Sequence, residues 1–157
     1  MHRLTRRVKD HVRGAPVAAG AFQPNFARAP ELGIFGLVGI PLNWRREQRA
    51  LDTGLGLAPS TLVVVTREEV CVFDAWLLAW GGVRMLLEHP RHDLVAEPAS
   101  LAQPPPIGVL PAYARRAALR LTNRTGNVIA ELEPQGWGDD VKAVFKELTG
   151  QEGWPPG

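Results

Sequence analysis

The clearest pattern of apolar and polar positions along the chain lies in residues 60–76, STLVVVTREEVCVFDAW. Residues 62–65 and 70–73 are short runs rich in β-branched and aromatic side chains, and the polar residues 67–69 separate them. Such runs around a short polar connection predict a β-hairpin. Because successive side chains of a strand point to opposite faces and both faces are apolar here, we expect this hairpin to lie in the centre of the fold, covered on both sides.

A second hairpin is predicted from residues 116–122 and 127–133, which alternate apolar and polar positions on either side of a turn that contains Gly126. The alternation predicts an inner face and a wet face for this hairpin. We expect the inner face to consist of Leu119, Leu121, Val128, Ala130 and Leu132. We expect the polar side chains of Arg120, Glu131 and Glu133 to face water.

The clearest helix is predicted near the C-terminus, where Val141, Val144, Phe145 and Leu148 follow a spacing of i, i+3, i+4 and i+7. Two aspartates, at 139 and 140, precede this stripe, and Gly150 follows it, as is typical of the two ends of a helix. We expect the apolar face of this helix to cover a sheet. Residues 150–157 are rich in Pro and Gly and are expected to form a disordered tail.

The remaining apolar runs are shorter and less regular. Residues 17–22 and 94–97 are predicted to form short strands, and residues 76–80 and 83–87, around two glycines, a strand pair or an irregular crossover. Residues 98–111 contain five prolines, which predict a stiff surface loop rather than a central strand.

A glycine pattern of period three marks residues 31–44, which include LGIFGLVGIPL. We interpret this stretch as a buried or flexible apolar insertion, with a partner-binding patch as the alternative. The patch would consist of Ile34, Phe35, Leu37 and Val38. The apolar run of residues 32–42 is too short for a membrane-spanning helix, which needs about 20 residues, so we expect no transmembrane segment.

The N-terminal residues 1–13 are predicted to form a short basic helical arm, with Leu4, Val8 and Val12 on one narrow stripe. Its basic residues are Arg3, Arg6, Arg7, Lys9 and Arg13, against Asp10 alone. The arm therefore carries +4 in a chain of net charge +2, which leaves −2 on the remainder. We expect a solvated or loosely docked arm, separable from the fold, and the alternative is a contact site for an anionic surface.

Composition indicates one globular domain: the 157 residues are 45% hydrophobic and 22% charged. Cys71 is the only cysteine, so no disulfide within the chain is expected.

No secretory signal is recognisable, and we expect a protein of the cytoplasm or of the inner face of the membrane. Binding of nucleic acid is not expected, because the basic arm lacks interleaved aromatic residues that would stack on bases.

Candidate chemistry is sparse. His89 and His92 lie three residues apart beside Asp93, but Pro90 separates them and no third ligand follows at a suitable spacing, so a polar loop is the preferred interpretation over a metal site. We find no paired carboxylates, triad spacing or phosphate-binding loop, and we expect no cofactor and no catalysis. The alternative is a small-ligand-binding protein or an enzyme that uses the region of His89 and His92.

Four segments resemble the pleckstrin-homology-like (PH-like) domains of small bacterial proteins: LVVVTREEVCVF, RHDLVAE, ALRLTNRTGNVIAELE and GDDVKAVFKEL. The resemblance covers residues 15–149, with residues 31–44 as a departure from the simplest pattern. The positions that carry it around the first hairpin are Thr66, Arg67, Val70, Val72 and Phe73. It implies an α+β, mainly β fold: a bent, partly open antiparallel barrel of about seven strands, capped by the C-terminal amphipathic helix.

The resemblance implies a non-catalytic binding or scaffolding module whose partner is a protein or an anionic membrane surface, because folds of this kind host several ligand classes. In eukaryotic relatives that bind phosphoinositides, basic residues cluster in the first loop between strands. The matching region here, residues 25–31, offers only Arg28. We therefore do not expect phosphoinositide binding.

Overall fold

The computed structural model describes residues 3–24, 60–102, 115–136 and 138–152. The insertion predicted at residues 31–44 lies outside these ranges, and so do residues 153–157 of the predicted tail. The patch residues Ile34, Phe35, Leu37 and Val38 are therefore also outside the described part of the chain.

Seven strands, three α-helices and two 3-10 turns form in the described ranges. The helices are α1 (Thr5–Val8), α2 (Ala75–Ala79) and α3 (Asp139–Thr149), and the 3-10 turns are Lys9–His11 and Arg91–Asp93. The strands are β1 (Ala18–Pro24), β2 (Thr61–Val65), β3 (Glu69–Asp74), β4 (Met85–Pro90), β5 (Leu94–Ala102), β6 (Arg115–Asn123) and β7 (Val128–Pro134).

All seven strands belong to one antiparallel sheet, in the order β4-β3-β2-β1-β7-β6-β5. Its two edge strands, β4 and β5, are consecutive in the chain and are joined only by the turn Arg91–Asp93. Four residue steps span at most about 14 Å, whereas the edges of a flat seven-stranded sheet would lie roughly 29 Å apart. The sheet must therefore be rolled. No ladder joins β4 to β5 in the described ranges, so it is not closed into a barrel.

The central hairpin is confirmed. β2 and β3 pair from Thr61 with Asp74 to Val65 with Val70, and both strands are buried along their whole length. One face joins a first core with α3, and the other joins a second core with α1 and α2. The first face consists of Val63, Val65, Val70 and Val72, and the second of Leu62, Val64, Cys71 and Phe73. The predicted alternation is therefore correct at each of these positions.

The C-terminal helix is also confirmed, as α3, with Gly150 in the left-handed conformation at its end. Val141, Val144 and Phe145 are buried in the first core, and Leu148 packs against it. The Phe145 ring lies 6.0 Å from the Phe22 ring of β1, measured between centroids. The helix covers the inner face of the rolled sheet, as its amphipathic pattern predicted.

The second hairpin forms between β6 and β7, with Gly126 at a positive φ of 84° in its turn. Two burial predictions within it are wrong. Val128 is 48% exposed, because it pairs with Thr122 beside the turn, after a register shift that displaces it from the core. Glu133 is only 6% exposed, because β7 also pairs with β1 at that position and lies between two strands.

Two further predictions are corrected by tertiary context. Residues 75–79 form helix α2 rather than a strand, because it has partners at both ends. Asp74 Oδ1 accepts a hydrogen bond from the Leu77 backbone N–H at 3.0 Å, and Arg7 donates to the carbonyls of Leu78 and Ala79. Strand β5 continues through Pro98 to Ala102, where a loop was expected. Strand β5 is at the edge of the sheet and pairs only with β6. Proline is tolerated there because an edge strand has no second neighbour that would need its backbone N–H.

Candidate docking face

The N-terminal segment is docked on the sheet. The predicted helix is shorter than expected, a single turn of α1 followed by the 3-10 turn Lys9–His11. Val8 is completely buried in the second core, and Leu4 and Val12 pack against the same core. The expectation of a solvated or loosely docked arm is therefore wrong, since the narrow apolar stripe packs on a face of the sheet.

Two arginines fasten this segment. The Arg7 Nη1 donates to the backbone carbonyls of Leu78 and Ala79, the latter at 3.3 Å, at the C-terminal end of α2. The Arg13 backbone N–H donates to Glu69 Oε1 at 2.5 Å. Its guanidinium lies 3.6 Å from Glu69 Oε2 through Nε and 3.3 Å from Glu88 Oε1 through Nη2. The segment is thereby joined both to α2 and to the central hairpin.

Helix α2 exposes an apolar surface next to this segment. Leu78 and Ala75 point into the second core, which turns the opposite side of the helix to solvent. Trp76 is 60% exposed and Trp80 is 74% exposed, and their rings contact edge to face with centroids 6.0 Å apart. Leu77 and Val83 extend the exposed apolar surface.

Basic side chains flank α2 at both ends. Arg7 places α1 at the C-terminal end of the helix, while the Arg84 backbone carbonyl accepts from the Asp74 N–H at its start. We call the combined surface the docking face. It consists of the apolar residues Trp76, Leu77, Trp80 and Val83 and the exposed basic residues Arg3, Arg6, Arg7, Lys9 and Arg84.

The docking face is predominantly positive. In residues 3–13 and 75–87 the only acidic residue is Asp10. In the described part of the chain, no ion pair holds Arg3, Arg6, Lys9 or Arg84. Of the predicted basic residues, only Arg13 is engaged elsewhere, by Glu69 and Glu88. The other four predicted positions are exposed, and Arg7 among them contacts the end of α2, next to Trp80.

The sequence interpretation missed the tryptophans as site residues. A signal was present in DAWLLAWGG: an aspartate that can cap a helix, two tryptophans at i and i+4, and two glycines that end the element. The run was too short and too apolar for its helical periodicity to be distinguished from a strand.

A shallow groove of about 800 Å³ lies beside the hairpin loop. Its lining is Arg13, Arg67, Glu68, Glu69, Glu88, Pro90, Arg91 and His92. His92 therefore lines the groove. His89 lies in β4 opposite Val70, a residue of the first core. Of the two histidines, the groove is thus lined by His92 alone, and no group of three metal-binding side chains occurs in the described ranges.

Cys71 is buried completely beneath the N-terminal segment, with its Sγ 3.4 Å from Glu69 Oε1. Burial raises the pKa of the Cys71 thiol to about 12, and the negative charge of Glu69 acts in the same direction. The thiol is therefore protonated at neutral pH. Since the thiolate is the nucleophile, Cys71 is an inert part of the core.

In the described ranges, no helix combines the length and the apolar character needed to span a bilayer. No protein-family model matches the chain, and no curated protein or solved structure matches it either.

Proposed function

We propose that this protein is a non-catalytic binding module that acts through the docking face. The observation that carries the proposal is the exposed, mutually contacting pair Trp76 and Trp80. Single exposed apolar residues are common on monomeric proteins, but a contiguous apolar patch rimmed by polar residues marks an interaction site. Here basic residues flank the patch at both ends of α2, and Asp10 is the only acidic residue in segments 3–13 and 75–87.

We further propose that the architecture is PH-like. Support comes from the sheet order β4-β3-β2-β1-β7-β6-β5, from the roll that brings its edges together without a ladder, and from α3 covering its inner face. The fold does not select the ligand, so the binding function is argued from the docking face alone.

The alternative, a small-ligand site or an enzyme that uses His89 and His92, has weaker support. Only His92 lines the groove, and the nearby thiol of Cys71 stays protonated. The charged side chains around the groove are three arginines and three glutamates, which favour neither anionic nor cationic ligands.

Site-specific photo-crosslinking tests the function and captures the partner in the same experiment. The photoreactive residue p-benzoylphenylalanine replaces Trp80 in one variant and the exposed Val128, on the far hairpin, in a matched control. We expect irradiated cells to yield one defined adduct, protein or lipid, from position 80 and none from position 128. The same adducts from both positions, or none from position 80, would refute the docking face as a binding surface.

A further inference from the structure

We infer that the occupant of the docking face is the surface of an anionic lipid bilayer. This inference rests on the proposed function, since it names the partner of the same face. Tryptophan is enriched at membrane–water interfaces, where its apolar ring and its polar N–H are both satisfied. Trp76 and Trp80 are the two most exposed large apolar side chains in the described part of the chain.

Charge selects an anionic surface. Arg3, Arg6, Lys9 and Arg84 are exposed and form no ion pair among the described residues. Asp10 is the only acidic residue in the segments 3–13 and 75–87, which carry them. Basic residues near an anionic leaflet each strengthen binding by a factor of about five, and this attraction decays within a Debye length. Several such residues around a pair of interfacial tryptophans combine the two contributions that peripheral membrane binding uses.

The shape of the patch favours a bilayer over a protein partner. A protein partner must present a surface complementary to the projecting rings of Trp76 and Trp80, which are 60% and 74% exposed. A bilayer needs no matching surface, because lipid headgroups and acyl chains rearrange around the inserted rings.

Arg7 joins the two parts of the face. Its guanidinium spans from α1 to the last carbonyls of α2, so α1, which also carries Arg6, is attached to the end of α2 next to Trp80 and is not part of a flexible tail. Preorganised contacts avoid the loss of conformational entropy that a flexible arm would suffer on binding.

The test uses the full chain and vesicles of phosphatidylcholine alone or mixed with phosphatidylglycerol, at salt of about 0.1 M and about 1 M, where the Debye length is about 10 Å and about 3 Å. We expect sedimentation with the anionic vesicles only, and mostly at the lower salt. Replacing Arg3, Arg6 and Lys9 together by Gln should weaken binding by roughly 100-fold. The matched control replaces the exposed Arg67, Arg124 and Lys142 by Gln, with the same change in net charge, and should weaken binding only slightly.

The apolar part has its own pair of variants. Trp76→Ala combined with Trp80→Ala should weaken binding roughly tenfold or more, whereas Val95→Ala combined with Val128→Ala should not change it. All these positions are exposed, and thermal melting of each variant confirms that it is folded.

Absence of binding of the wild type to anionic vesicles at low salt would overturn the inference, and so would equal losses in the two charge-matched triples. An adduct between position 80 and a protein, together with absent vesicle binding, would leave the binding module standing and refute the bilayer as its partner.

Discussion

Glu69 is the residue that links the central hairpin to the N-terminal segment. It was predicted as part of a polar connection, yet it begins β3 and is buried. Its carboxylate accepts hydrogen bonds from the Arg13 N–H and from the Cys71 thiol. The Thr66 hydroxyl donates to the Glu69 carbonyl and accepts from the Glu69 N–H. A buried carboxylate is tolerated because its charge is hydrogen-bonded and paired.

Cys71 provides a prediction about pH. Its pKa is raised from 9.0 to about 12 in the folded protein, so above pH 9 the unfolded thiol loses a proton that the folded thiol keeps. The folded state is then disfavoured, and this contribution to stability falls as the pH rises from 9 towards 12. Urea unfolding at pH of about 8 and about 10.5 should show a larger loss of stability for the wild type than for Cys71→Ser. An equal loss in both chains would show that the thiol does not titrate in this way.

Gly20 allows β1 and α3 to approach closely. A Cβ at this position would lie 3.2 Å from the Asp140 backbone carbonyl and from the Val141 Cα, and neither backbone atom can rotate away. We expect Gly20→Ala to lower the free energy of unfolding by about 1–3 kcal/mol, measured by denaturant unfolding. Gly138→Ser is the control, because nothing lies near Gly138 and serine is a good residue at a helix start. A neutral Gly20→Ala would mean that the helix shifts easily on the sheet.

At the scale of elements, α2 shows how a five-residue helix is held. A helix this short is not stable alone, because nucleation is costly. Asp74 satisfies a backbone N–H at its start, Arg7 satisfies carbonyls at its end, and the Ala75 N–H donates to the Ser60 carbonyl. Its conformation is thus set by the adjacent cap Asp74 together with Arg7 and Ser60, which are more distant in the sequence.

Helix α3 is predicted to be integral to the first core. Phe145 is 1% exposed and packs against Phe22, so Phe145→Ala should leave a cavity and cost about 3–5 kcal/mol. For a domain of about 150 residues this corresponds to a fall in the thermal midpoint of roughly 10 °C. Lys142→Ala, on the exposed side of the same helix, should change the midpoint little. A fall of only about 1–2 °C for Phe145→Ala would mean that the helix rests on the surface.

Arg91 connects three elements at the open side of the rolled sheet. Its Nη1 donates to the Thr66 carbonyl at 3.2 Å, and its Nη2 donates to the Glu147 carbonyl at 2.6 Å. The same Nη2 lies 2.8 Å from Glu147 Oε1. The turn between β4 and β5 is thereby joined to the hairpin loop and to α3, where no strand pairing closes the sheet in the ranges that the structure describes.

At the scale of the whole molecule, the central hairpin of the sheet is covered on both faces, and the N-terminal segment is part of the second cover. A chain that starts at Gly14 would lose Val8, the contacts of Arg7 and the pairing of Arg13 with Glu69. Burial of a valine side chain alone contributes about 1.5–3 kcal/mol. We therefore expect the truncated chain to be destabilised by more than about 3 kcal/mol in thermal or urea unfolding.

The control for this truncation is the full chain with Arg3→Gln and Arg6→Gln, which removes charge from exposed positions and should melt like the wild type. A truncated chain with an unchanged midpoint would show that the segment is separable after all. Because the truncation is expected to destabilise the fold, it is a poor test of membrane binding. Substitutions at exposed positions test membrane binding without this effect.

Local patterns determined much of this protein. Alternation of apolar residues assigned the two faces of β2 and β3, and the i, i+3, i+4 spacing identified α3 together with its buried residues. These signals suffice where an element buries one consistent face, because periodicity then records which side meets the core.

Only the tertiary structure decided the burial of Val8, the helical state of residues 75–79 and the strand that passes through Pro98. In each case the local sequence pattern did not distinguish between two structures. Packing in the second core determines the burial of Val8, the contact of Arg7 stabilises helix α2, and the edge position of β5 allows a strand through Pro98. The docking face has the same origin. The basic residues were visible in the sequence, but the attachment of their segment to the end of α2, next to Trp80, results from contacts between residues about 70 positions apart, which no local pattern records.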